Sequence, residues 1–161
     1  MLKPIKSSSL EAPNARFAIV AAEYNRRYVD AMLQAARKEL NRAGAAAVTV
    51  VRVPGAFEIP VVAARLARSR QPGFDAVICL AVIIRGETMH AELIGAGVTG
   101  ELARLQIEAG RPIVHAVLLL DDEAQARERC LGREHNRGLE AANTAIKMAE
   151  VMAQLSDSHG F

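Results

Sequence analysis

Ala81-Val82-Ile83-Ile84-Arg85-Gly86-Glu87-Thr88-Met89-His90 decides the architecture of this chain. An apolar strand from Val77 to Ile84 stops abruptly at Arg85-Gly86, and a helix opens near Thr88 with a histidine on its first turn. A continuous apolar strand is buried on both faces, as in a parallel sheet between helix layers. In such a sheet, ligands bind where strands end and helices begin. The free N–H groups of a helix's first turn attract anions there. One junction thus combines an anion site, a titratable imidazole and a fixed positive charge, which suits chemistry on a phosphorylated small molecule.

The same strand-to-helix alternation extends in both directions. Upstream, Phe17 to Ala22 reads as a strand. Asn25 then caps a helix with the apolar face Val29, Met32, Leu33, Ala36 and Leu40, and Gly44 closes it. Val48 to Val53 is a second strand, cut by Pro54-Gly55, and a helix from about Phe57 to Ser69 follows. Gln71-Pro72-Gly73 is a turn, and Asp75 to Ile84 is the third strand.

Downstream, a long helix is expected from about Thr88 to Ala109. Gly95, Gly97 and Gly100 weaken it but would allow close packing against another helix. Ile113 to Leu120 is the fourth strand. Asp121-Asp122-Glu123 opens a short helix through about Cys130, since acidic residues suit a helix start. A last helix from about Asn136 to Leu155 places Leu139, Ala142, Ile146, Ala149, Met152 and Leu155 at helical spacing.

The expected fold is therefore α/β: a four-stranded parallel sheet in a three-layer α/β/α sandwich. Residues 1–15, with Pro4, Pro13 and Ser7-Ser8-Ser9, read as a loose N-terminal arm, of a kind that can order against a neighbouring subunit. Residues 16–161 read as a single domain. Four strands are few for this much helix, so the Ala-rich helix faces pack either within the chain or between subunits.

Composition narrows the function classes. The 161 residues are about half apolar, with 20 Lys+Arg against 18 Asp+Glu and a net charge of +2. There is no basic block, no Trp, and only two Tyr and four Phe, so nucleic-acid binding has little support. No apolar run approaches the roughly 20 residues that span a membrane, and the N-terminus has no signal-peptide core. Cys79 and Cys130 read as reduced, buried thiols of a cytoplasmic protein.

Neither standard Gly-rich phosphate loop is present, nor a nucleophile elbow or a metal-ligand spacing. The remaining candidates cluster at strand ends: Tyr24-Asn25, Gly55-Ala56-Phe57-Glu58, and Arg85 to His90. His90 is the acid/base candidate, because imidazole titrates near neutrality; its plain alternative is a surface histidine. Gly86-Glu87-Thr88 could hold an anion through main-chain N–H groups or simply begin a helix, with the Glu87 side chain turned outward. Arg85 reads as a surface charge rather than a phosphate partner. Phe57 taken alone is core, and Glu58 a helix-start carboxylate. Arg127, Arg129, Arg133, His135 and Arg137 read as a solvated basic face, although Gly132 and Gly138 among them suggest a shaped loop able to hold phosphate.

Four blocks together resemble the lumazine synthase family, over Phe17 to Met152. They are Tyr24-Asn25, Val53-Pro54-Gly55-Ala56-Phe57-Glu58-Ile59-Pro60, Ile84 to His90, and Asn136-Arg137-Gly138-Leu139-Glu140-Ala141-Ala142. The resemblance implies a flavodoxin-like sheet. It also implies a reaction without cofactor or metal: condensation of 5-amino-6-(ribitylamino)uracil with 3,4-dihydroxy-2-butanone 4-phosphate to 6,7-dimethyl-8-ribityllumazine, in riboflavin biosynthesis.

Carried over by position, His90 would transfer protons and Arg129 would hold phosphate, with Gly86, Glu87 and Thr88 supplying main-chain or hydroxyl donors. Tyr24 would stack on the pyrimidine. Ala56, Phe57 and Glu58 would line the ribityl pocket, and Val82, Ile83 and Ile84 would border the ring. The residues at His115 and Arg129 would come from the neighbouring subunit of a homopentamer. The short loop Leu131 to Asn136 is similar to that of members whose pentamers build a 60-mer shell, for which a riboflavin synthase is a candidate partner.

Three residues depart from the family pattern: His115 for Phe, Ala91 for Phe and Ala116 for Gly. They leave open a catalytically weak or inactive pentameric scaffold, or a flavin-binding module, of the same fold. His115 itself is either a new hydrogen-bonding group for substrate or a tolerated aromatic-like replacement.

Overall fold

The sheet forms from four strands: β1 (Arg16–Ala22), β2 (Ala47–Val53), β3 (Ala76–Ile84) and β4 (Ile113–Leu120). All pairings are parallel, in the order β2-β1-β3-β4. The computed structural model describes residues 10–71, 73–132 and 135–159, with side chains to 156. Between and after the strands lie α1 (Arg26–Arg42), a short 3-10 turn (Ala56–Glu58) leading into α2 (Ile59–Ala67), α3 (His90–Ala109), α4 (Glu123–Leu131) and α5 (Arg137–His159). This is the α/β sandwich expected from the strand pattern, with the flavodoxin-like sheet that the family resemblance implies.

The core follows from the alternation of side chains along each strand. Phe17, Ile19 and Ala21 of β1, with Ile78 and Leu80 of β3, face one way, against Met32 and Leu40 of α1, Cys130 of α4 and Ile146 of α5. Ala18 and Val20, with Val77 and Cys79, face the other way, against Ile59 and Ala63 of α2 and Val98 and Leu102 of α3. Apart from Arg16 at the start of β1, the two central strands are apolar, and most of their residues are buried because both faces are covered. β2 and β4, at the edges, are less fully buried.

Several local expectations change. Asn25 does not cap α1 with its side chain; it takes a left-handed conformation, φ 54° and ψ 39°, and that side chain reaches elsewhere. Asn tolerates this region better than most residues. Gly44 does close α1, with φ +83°, as the Gly44 and Ala45 N–H groups bond back to Asn41 and Leu40. The second helix proper begins two residues later than expected, after the 3-10 turn, with Pro60 in its first turn, where a missing N–H costs nothing. α3 starts at His90 rather than Thr88.

The glycines of α3 do not bring it against another helix of the chain. Gly95 packs on Leu119 of β4, while a side chain at Gly97 or Gly100 would meet nothing within 4 Å. Leu93 and Ile107 on this helix are exposed. The close helix approach lies elsewhere: a Cβ at Gly138 would sit 2.0 Å from the Met32 carbonyl oxygen, so α5 rests on the backbone of α1. Gly138 therefore serves helix packing rather than a phosphate loop. The packed face of α5 is Gly138, Ala141, Ala142, Ala145 and Ile146, whereas Leu155 at the far end of the expected stripe is exposed.

Leu10 and Ala12 are buried and belong to the core, and the Ala12 N–H donates to Ala43 O at 2.7 Å. The looseness expected of residues 1–15 thus does not hold for 10–15, and residues 1–9 lie outside the described residues. Among the described residues, no helix is long and apolar enough to cross a membrane.

Candidate functional site

The carboxyl ends of β1, β2 and β3 lie side by side, so the segments that follow them share one rim. Short main-chain bonds fix that rim: Glu23 N–H to Val53 O at 2.8 Å and Tyr24 N–H to Pro54 O at 3.0 Å. The Asn25 side-chain amide donates to Val82 O at 2.7 Å and ties the first strand end to the third. Gly55 is needed for close approach, because a Cβ there would lie 2.9 Å from the Tyr24 ring. Its N–H donates to Glu58 Oε2 at 2.9 Å.

These segments enclose a cleft of about 750 Å³. Tyr24, Ala56, Phe57, Glu58, Thr88 and His90 line it, and Val82, Ile83 and Ile84 form its floor. The Tyr24 and Phe57 rings are both about two-thirds exposed, far from the usual state of aromatic side chains in a core. Phe57 therefore faces the cleft rather than the interior. Glu58 fills both roles open to it, since it braces the turn through Oε2 and lines the cleft.

His90 is the first residue of α3 and is exposed at the cleft wall. Its backbone N–H points to Thr88 Oγ1 at 3.4 Å. Met89, the cap residue, makes no side-chain capping bond. Gly86, Thr88, His90 and Ala91 all line that wall. Glu87 is exposed and does not line the cleft. Arg85 is turned away into ion pairs with Glu92 (2.7 Å) and Asp121 (2.8 Å).

His115 and Arg129 lie in a different place. A second cleft, about 830 Å³, runs along the β4 edge, with both residues in its wall beside Gln125, Arg137, Glu140 and Thr144. Arg137 is paired with Glu140. The Arg129 Nε is buried and has no hydrogen-bond partner among the described residues.

His115 Nε2 is 2.9 Å from Thr99 Oγ1. The Thr99 hydroxyl also lies within hydrogen-bond reach of Gly95 O, at 2.7 Å, and so ties His115 to α3. Desolvation lowers the His115 pKa below the ordinary histidine value, partly offset by a hydrogen bond with its own backbone. Behind the cleft wall, burial pushes the Cys130 thiol up to about 11, against the pull of Arg129 and Arg137.

One chain thus brings together nine of the twelve residues singled out in the sequence, in one cleft, and places His115 and Arg129 in another. Sequence reasoning placed Asn25 at a strand end with a helix-capping role but not as a tie to the third strand, and it did not single out Gln125. The left-handed tolerance of Asn directly after a strand was the signal for the first; Gln125 carried none.

The 6,7-dimethyl-8-ribityllumazine synthase family model matches residues 14–153, all but the two ends of the chain.

Proposed function

Because the chain belongs to the 6,7-dimethyl-8-ribityllumazine synthase family, we propose that it catalyses the reaction in that name. The amine of 5-amino-6-(ribitylamino)uracil adds to the ketone of 3,4-dihydroxy-2-butanone 4-phosphate, and loss of water gives an imine. Phosphate then leaves, and the second ring closes with loss of another water. The products are one lumazine, one phosphate and two waters.

The observation that carries this reading is the first cleft. It offers two exposed aromatic rings, an apolar floor, a carboxylate and an imidazole within one volume of heterocycle size. In this reading Tyr24 stacks on the pyrimidine, and Val82, Ile83 and Ile84 border it. Ala56, Phe57 and Glu58 meet the ribityl chain. The 86–88 turn receives the phosphate end, Thr88 with its hydroxyl and Glu87 through its main chain alone. His90 moves the protons that addition, dehydration and elimination require. Holding both reactants together supplies much of the acceleration.

The anion partner completing this site is Arg129 of a second copy, with His115 beside it, so the working unit is a homo-oligomer; a pentamer, alone or in a shell, fits the family. The unpartnered Arg129 Nε supports this. No cofactor enters the scheme, and a cytoplasmic, riboflavin-producing setting follows from it.

The test is direct. The purified protein is mixed with both reactants and product fluorescence is followed against the spontaneous background. His90→Ala is expected to lower kcat by roughly 10²- to 10⁴-fold, the usual range for a lost acid/base group, with an unchanged melting temperature because His90 is exposed. A well-folded protein with no rate above background would leave the scaffold or the flavin-binding module, which flavin titration then separates.

A further inference from the structure

A polar thread runs between the two clefts through Arg85, Glu92 and Asp121, which line neither. Arg85 directly follows β3, and its backbone N–H donates to Leu120 O at 2.8 Å. Its guanidinium divides between Glu92, through Nε at 2.7 Å, and Asp121, through Nη1 at 2.8 Å. Asp121 is locked in turn to Gln125: the Gln125 amide donates to Asp121 Oδ2 at 3.0 Å, and the Asp121 N–H donates to Gln125 Oε1 at 3.0 Å.

The ends of this thread lie at functional groups. Glu92 sits on the first turn of α3, two residues after His90. Gln125 lines the second cleft, one helical turn before Arg129 on α4. The pinned segment is irregular: residues 85–89 belong to no helix or strand. Gly86 and Thr88 of that segment line the first cleft.

Such ion pairs contribute little to global stability, since Arg85, Glu92 and Asp121 keep 45%, 33% and 60% of their side-chain exposure. Glu92 even leaves Oε2 buried without a partner among the described residues. The arrangement makes better sense as a geometric constraint than as a source of stability.

We infer that Arg85 is a positioning residue that pins the 85–89 segment and the first turn of α3 to the β4–α4 junction, so that the main chain beside His90 keeps a fixed place on the cleft wall. Displacing that main chain by a fraction of an ångström weakens its hold on a phosphate group without unfolding the chain. The inference rests on the proposed function for the identity of the phosphate-bearing reactant.

Steady-state kinetics and thermal melts on the whole protein test it, using Arg85→Gln, Asp121→Asn, their double variant and Arg85→Lys. Each of the first two raises KM for the butanone phosphate by roughly 5- to 20-fold, as expected for a small misplacement. The double variant is no worse than the poorer single one, because both break the same link. Arg85→Lys recovers part of the loss, and melting temperatures stay within about 2 °C, as for surface pairs.

Wild-type KM in both single variants would overturn the inference. So would effects that multiply in the double variant, or losses that track the melting temperature. Calorimetric titration with inorganic phosphate gives a readout without turnover. Weaker binding in Arg85→Gln and Asp121→Asn supports the inference; equal binding, or none by the unaltered protein, overturns it. If phosphate binding behaves as expected but no lumazine forms, the reaction reading fails and the positioning role stands.

Discussion

The two clefts of this chain are nearly equal in size and opposite in character. The first presents aromatic rings and an apolar floor, with one imidazole and one carboxylate. The second presents Arg129, the Arg137–Glu140 pair and a histidine whose pKa is lowered. A flat heterocycle suits the first and a phosphate dianion suits the second, yet a reactant pair needs both at once. The first cleft has the imidazole without a free guanidinium, and the second has the guanidinium with a histidine already bonded to Thr99. Under the proposed reaction, the difference makes each cleft half of a site.

The harshest way to break the comparison is Gly138→Ala. The added Cβ cannot rotate away from the Met32 carbonyl oxygen, so α5 must leave α1, taking the Arg137, Glu140 and Thr144 wall of the second cleft with it. The expected loss is about 3 kcal/mol or more, at the upper end for overpacking, read as a lower denaturation midpoint. A midpoint equal to that of the unaltered protein would show that the two helices can separate freely.

A second experiment asks whether the halves belong to different copies. His90→Ala and Arg129→Gln should each be nearly inactive alone. Unfolded together and refolded, they should regain activity, because roughly a quarter of the subunit contacts then pair an intact His90 with an intact Arg129 in a head-to-tail ring. If the mixture stays as inactive as its components, the two clefts do not complete each other.

The smallest effect concerns His115. Its folded-state pKa lies below the unfolded value of 6.5, so folding favours the neutral ring. Above about pH 6.5 the ring is neutral in both states and its contribution is fully present. As the pH falls, the unfolded chain takes up the proton first, and this stability is lost progressively until the lowered folded pKa is passed. His115→Phe should flatten that part of the acid limb in melts from pH 7 to pH 5. An identical slope in both proteins would remove His115 as its source.

The first cleft was legible in the sequence because a parallel sheet makes it so. Continuous apolar strands fix which chain ends share a rim, and Tyr24, Phe57 and His90 each follow a strand by only a few residues. The second cleft was not legible from pattern alone. It forms on an edge strand, where His115 interrupts an otherwise apolar run and Arg129 sits in a helix dense with charge; only the family resemblance singled out His115 and picked Arg129 from the basic stretch around it. Misjudged glycines have a similar cause. Gly95, Gly97, Gly100 and Gly138 look alike in sequence, and whether a helix backbone lies opposite depends on distant residues such as Met32. Asn25 misled because one residue type serves both helix capping and left-handed turns.

The two cysteines have a practical consequence. Cys79 and Cys130 are the only thiols in the chain, and both are wholly buried. At neutral pH a thiol with a pKa of about 11, as for Cys130, is ionised in only about one molecule in 10⁴. Cys79 is suppressed further still. The native chain is therefore a silent background for thiol chemistry. A single cysteine placed at an exposed position such as Gln154 would react alone with a maleimide dye or spin label, with no native residue to remove first.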